Sequence, residues 1–153
     1  MARVFEPGTH ALLRAVLNRL IPAGNQFPGA GDVELLPRLD EAAGASPMAI
    51  RMYVDGVQQI TLESERRYQR RFEELAGAEQ DSVLRAIDQE RPVFFESLLR
   101  QVYVLYYSQP IVMPLLGLEA GSPQPAGHAL PPFDPALTRA MGQRPPFYRR
   151  PPQ

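Results

Sequence analysis

Through most of the first 108 residues, apolar side chains recur every three or four positions. That is the period of helices that pack by one face. Leu13, Val16, Leu17 and Leu20 form the first stripe, with Thr9 ahead of it as a candidate cap. Pro22 stops it, because the residue before a proline avoids the helical region. Phe27-Pro28-Gly29-Ala30 then turns the chain again. A second stripe runs through Leu35, Leu36, Leu39 and Ala43, with Asp32 as its candidate N-cap and Gly44 at its end. Pro37 within it requires a late start or a kink.

Ser46-Pro47 is a strong helix start, a capping hydroxyl followed by proline in the first turn. Ile50, Tyr53, Val54, Val57 and Ile60 give the stripe of a long third helix, which the pattern carries on into Arg71. Phe72 and Leu75 mark a short helix or extension broken at Gly77, and a further helix from about Ala78 carries Val83, Leu84 and Ile87. Pro92 opens the last helix. There Phe94, Phe95, Leu98, Leu99, Val102, Tyr103, Leu105, Tyr106 and Tyr107 cover most of the circumference. A helix apolar nearly all round belongs at the centre of a bundle or under a partner.

After Ser108 the pattern ends. Residues 109–153 hold 11 of the 17 prolines and show little periodicity. They offer too few apolar residues for a core of their own. The expected fold is therefore all-α: five or six helices in an irregular bundle over residues 1–108. An extended Pro-rich C-terminal arm follows over 109–153, not an independent domain.

Composition narrows the functions open to such a chain. At 153 residues it is one domain's worth of sequence, able to bury roughly two-thirds of its unfolded surface. The net charge of −1 gives no reason to expect nucleic acid or an anionic membrane as partner. The absence of Cys rules out disulfides, thiolate chemistry and Cys-ligated zinc. All 16 basic residues are Arg, so no lysine Schiff base can form. Leu98 to Leu118 is the most apolar run, but Arg100, Gln101, Gln109, Pro110 and Pro114 interrupt it too often for a membrane span. The opening residues lack the basic region, apolar core and cleavage site of a signal peptide, which gives a cytoplasmic expectation. A periplasmic location is the alternative if a partner carries the chain out.

Candidate chemistry is sparse. His10 and His128 lie far apart, without helical metal-ligand spacing. There is no Gly-x-Ser-x-Gly elbow, and the glycines between Gly24 and Gly31 are interrupted by Pro28 and follow no strand. An enzymatic reading would have to rest on His10 and His128. Glu63, Glu65, Glu73 and Glu74 alternate with Arg66, Arg67, Arg70 and Arg71, placing Glu63–Arg67 and Arg70–Glu74 at i,i+4 spacing. This pattern reads as a solvated, salt-bridged face or as an Arg patch for an acidic partner. Tyr103, Tyr106 and Tyr107 read as core or as part of an amphipathic contact surface. In the tail, Phe133, Phe147 and Tyr148 are either incidental aromatics or anchors of an arm held on another subunit. These six aromatics are the candidate partner interface. No catalytic, cofactor-binding or metal-binding residue is assigned.

Several of these elements occur together in a recognisable order. Leu20-Ile21-Pro22-Ala23 and Pro28-Gly29-Ala30 follow the first helix. Phe72-x-x-Leu75 and a helix with Gln80 and Leu84 come next, and Phe94-Phe95 and Tyr106-Tyr107-Ser108-Gln109-Pro110 close the series. In this the chain resembles the gluconate 2-dehydrogenase subunit 3 family, the small subunit of bacterial flavin-dependent sugar and alcohol dehydrogenases. It departs from the family in having no Trp and no twin-arginine signal. The resemblance implies a helical accessory subunit without a cofactor of its own. Its partner would be a large FAD-binding subunit of the glucose-methanol-choline (GMC) oxidoreductase type, with a cytochrome c subunit taking the electrons in related complexes. The small chain would bind, stabilise and help mature the large one. A stand-alone helical binding or chaperone module is the alternative.

Overall fold

The first helix, α1 (His10–Leu20), is entered through a 3₁₀ turn at Pro7–Thr9. Thr9 is not its cap. The residue already has near-helical backbone angles, and its hydroxyl donates back to the Glu6 carbonyl at 2.8 Å. A capping side chain needs an extended backbone, which Thr9 lacks. Leu12, Leu13, Val16 and Leu17 face inward, and Ile21 turns extended ahead of Pro22 as the sequence predicts.

The coordinates are a computed structural model that describes residues 3–117 together with Pro135, Ala136 and Arg139. Among these residues there are five α-helices and no strand, which agrees with the all-α expectation. One helical unit spans Met1–Gly121, and a second unit spans Ser122–Gln153, whose described residues are exposed.

Helix α2 (Leu36–Ala43) starts late, which places Pro37 in the first turn, where its missing N–H costs nothing. Asp32 lies outside the helix and accepts a hydrogen bond from Asn18 at 3.1 Å, so it is not the N-cap. Helix α3 (Pro47–Tyr68) opens on extended Ser46, whose hydroxyl accepts from the Ala49 amide at 3.1 Å. Its inner face is Tyr53, Gly56, Val57 and Ile60, whereas Ile50 and Val54 stay exposed. The helix ends before the charged run does, at Gln69 in the left-handed region. A 3₁₀ turn at Phe72–Glu74 drops the Phe72 ring into the core between α1 and α3.

Helices α4 (Gly77–Glu90) and α5 (Pro92–Tyr107) are separated by Arg91 alone. The Glu79 carboxylate accepts from the Ala76 amide at 2.8 Å and satisfies a free donor at the start of α4. Helix α5 packs on α2, α3 and α4. Phe5, Tyr53 and Phe94 meet edge to face at 6.2 and 5.9 Å, and the Tyr53 hydroxyl reaches Ser97 Oγ at 3.1 Å. Gly56 makes the approach of α3 and α5 possible, since a Cβ there would sit 2.3 Å from the Phe94 ring. Residues 109–117, placed with the arm by composition, pack onto the body. Val112 is fully buried and Met113 nearly so, beside a 3₁₀ turn at Met113–Leu116.

Candidate partner interface

The turn after α1 is fixed from several sides. Gly24 and Phe27 exchange backbone hydrogen bonds at 3.1 and 2.9 Å, and Asn25 at the tip takes a left-handed backbone that asparagine tolerates. The Ala30 amide donates to the Ile21 carbonyl at 2.9 Å, and the Gly31 amide donates to Asn18 Oδ1 at 2.7 Å. A Cβ on Gly29 would lie 2.3 Å from that same Asn18 oxygen. The Tyr106 hydroxyl donates to the Pro28 carbonyl at 2.6 Å and so ties the end of α5 to the turn. The two outermost motifs of the sequence, 78 residues apart, are therefore in direct contact.

That contact separates the candidate aromatics. Tyr106 is 1% exposed and belongs to the core. Burial, with a smaller push from Tyr107, raises the Tyr106 phenol above its ordinary pKa, so it remains a neutral donor. Tyr103 and Tyr107 point outward at 42% and 46% exposure. Tyr107 rests edge-on against Tyr106 at 5.2 Å and beside Tyr103 at 6.1 Å. Val104 and Ile111 are also exposed. Phe133, Phe147 and Tyr148 lie outside the described residues.

Helix α5 is therefore not wrapped on all sides. Phe94, Leu98, Val102, Leu105 and Tyr106 are covered, while Val93, Tyr103, Val104 and Tyr107 are not. Glu96 and Arg100 are exposed between Val93 and the other three, so the apolar part of the outer face is Tyr103, Val104 and Tyr107 near the end of the helix. Apolar side chains grouped in this way mark a contact site more often than scattered single residues do.

The Glu/Arg run is only partly a solvated face. Glu63 is buried and gathers both Arg66, at 2.8 Å, and Arg67, which also reaches Ser82 on α4. Hydrogen bonding from Arg66 is the main reason its carboxyl sits below the usual range. Burial opposes that shift and Arg67 adds to it. The expected Arg70–Glu74 side-chain pair does not form. Helix α3 has already ended there, and Arg70 pairs instead with Glu79 at 2.7 Å. Arg19 and Asp81 form a two-pronged ion pair that joins α1 to α4. The sequence reading missed this pair, because nothing local relates residues 62 positions apart.

His10 sits at the first position of α1, and His128 lies outside the described residues. Among the described residues no three His, Asp or Glu side chains converge as metal ligands. No helix among them is long and apolar enough to cross a membrane.

The family model described as gluconate 2-dehydrogenase subunit 3 matches residues 7–116. The chain belongs to this family. The match runs from the 3₁₀ turn before α1 to the 3₁₀ turn after α5, so it takes in the turn, the core and the outer face of α5. Comparison with curated proteins and with solved structures gave no match. As a subunit 3 family member the chain is one component of a dehydrogenase complex.

Proposed function

We propose that this chain is a non-catalytic accessory subunit that binds a large FAD-dependent GMC-type sugar or alcohol dehydrogenase subunit. By binding it, the chain stabilises the large subunit and helps it mature. Family membership supports a place in a dehydrogenase complex. The observation that carries the reading is the uncovered outer face of α5, where Tyr103, Val104 and Tyr107 present their side chains on a locked helix. Rigid aromatic residues of this kind make good interface anchors, since little order is lost when they are covered. A subunit that binds only the folded form of its partner raises the partner's stability by mass action. FAD belongs to the large subunit in this reading. The aromatics Phe133, Phe147 and Tyr148 complete the interface, and a cytochrome c subunit would accept the electrons.

The test is co-expression with the large subunit. A yellow 1:1 complex with a flavin spectrum is expected, together with a colourless small chain when it is made alone. Purification of a colourless monomer that retains no flavoprotein from its native host would refute the reading. Capture of several unrelated partners would favour a stand-alone binding module instead.

A further inference from the structure

Charge is unevenly spread along the body. Charged residues make up 22% of the chain, yet none occurs between Arg19 and Asp32 or between Arg100 and Glu119. These hold the two longest uncharged stretches among the described residues. The first contains the turn after α1, and the second contains the end of α5 and the segment that follows it. Burial does not explain the missing charge. Residues 22–26 are all exposed, and so are Tyr103, Val104 and Tyr107. Exposed positions are where charged side chains normally concentrate.

The fold joins the two stretches. The hydrogen bond from the Tyr106 hydroxyl to the Pro28 carbonyl runs from one to the other, and the Tyr107 ring lies edge-on against Tyr106 at 5.2 Å. Burial and Tyr107 raise the Tyr106 phenol, with no charged side chain among the causes. Both sides of the junction are stiff. The turn is pinned from below by Asn18, Ile21 and Tyr106, and a Cβ on Gly29 would strike the Asn18 side chain. Stiff surface loses little order when it is covered.

The cores of protein interfaces are depleted of charge and enriched in tyrosine. The outer face of α5 has both properties near its end, and the turn shares the first and touches that helix through Tyr106. We propose that the turn and the outer face of α5 form one interface, which the large catalytic subunit covers with an uncharged, largely apolar patch of its own. Asn25 and Gln26 at the tip then require hydrogen-bond partners rather than counter-ions. The family match takes in both stretches, and membership in a dehydrogenase complex favours another component of that complex over a second copy of this chain. This rests on the accessory-subunit reading above. It adds the turn to the contact surface and fixes the chemistry of the partner. Association through such a surface lacks electrostatic steering and responds little to salt.

The experiment titrates the large subunit with the full chain carrying Gln26→Glu, Gln26→Arg or Gln58→Glu, at about 0.05 and 0.5 M salt. Gln26 is exposed in the turn, and Gln58 is exposed on α3, outside both uncharged stretches joined at Tyr106. Both Gln26 variants are expected to weaken the complex about tenfold, because a charge of either sign is left unpaired when covered. Gln58→Glu should leave the affinity unchanged, and wild-type affinity should vary less than about twofold with salt. Asn25→Asp, a residue type that tolerates the left-handed backbone there, carries the test if a Gln26 variant fails to fold by circular dichroism. Tighter binding by one Gln26 variant, or a steep salt dependence of the wild type, overturns an uncharged partner patch. Wild-type affinity in every turn variant removes the turn from the interface and overturns the proposal, while the yellow complex leaves the subunit reading intact. Equal weakening by Gln58→Glu also overturns it, by assigning the effect to overall charge. If sedimentation shows a dimer of the isolated chain that the Gln26 variants break while the flavin complex survives them, the surface belongs to a second copy and the proposal falls. If the wild-type chain forms no flavin complex, the subunit reading and this inference fall together.

Discussion

Tyr106 and Tyr107 are neighbours in sequence with identical side chains, and they serve opposite faces of α5. Tyr106 is buried and bonds the Pro28 carbonyl, whereas Tyr107 is nearly half exposed and leans on Tyr106. A helix turns by about 100° per residue, so consecutive positions fall on different faces. The inner face of α5 therefore governs whether the chain folds. The outer face lies mostly outside that core, touching it through Tyr107, and is free to take part in assembly. Substitutions on the two faces should separate stability from binding.

The largest effect belongs to the inner face. Gly56→Ala drives a methyl into the Phe94 ring, which lies 2.3 Å from the ideal Cβ position. Overpacking of this severity costs about 3 kcal/mol, read as a lower urea midpoint of the isolated chain. Val93→Ala on the exposed side of the same helix should stay within about 0.5 kcal/mol. A similar loss in both variants would erase the distinction between the faces.

The outer face should show the reverse. Tyr107→Ala, combined with Tyr103→Ala, is expected to cost about 2 kcal/mol in binding the large subunit and little in the stability of the isolated chain. Calorimetric titration of the complex beside thermal unfolding of the free chain separates the two quantities. Tyr106→Phe tests the boundary between the faces. It leaves the Pro28 carbonyl without its donor and should cost about 1 kcal/mol of stability. Tyr107→Phe removes a hydroxyl that has no hydrogen-bond partner among the described residues and should cost almost nothing.

The comparison also shows which features could be read from the sequence. Ser46-Pro47, Pro22 and Pro92 set helix limits by local sterics, so the five helices were legible from periodicity and punctuation. Thr9 and Asp32 have the residue types of caps but their side chains do not cap, because capping depends on a backbone conformation that residue type only favours. The apolar circumference of α5 is legible in the sequence. Its division into covered and uncovered halves could not be seen, because Val104 and Val102 look alike until α3 and α4 are placed. Glu63 was hidden in the same way: only the packing of α3 shows that one carboxylate of a charged run points inward. The Asn18–Gly31 and Tyr106–Pro28 bonds had one faint signal, the repeated glycines after a proline turn.

The smallest expected effect is the pH response of the inner body. Hydrogen bonding from Arg66 holds Glu63 below its ordinary value of 4.5, against the opposing effect of burial and with help from Arg67. Hydrogen bonding from Arg19 likewise holds Asp81 below 3.8, again against burial. Both carboxyls take up protons more readily in the unfolded chain than in the folded one. Their stabilisation is thus complete above the unfolded values and fades as pH falls through the lowered folded values. Urea midpoints of the isolated chain should hold steady from pH 7 to about 5 and decline below about 4.5. Glu63→Gln should lower the midpoint at neutral pH and flatten the acid decline, since one of the two carboxyls held below its ordinary value is gone. Tyr107→Ala removes no titrating group from the inner body, so its decline should run parallel to wild type. If Tyr107→Ala altered that slope, the outer face would be coupled to the ion pairs of the core, and the separation of folding from assembly along α5 would fail.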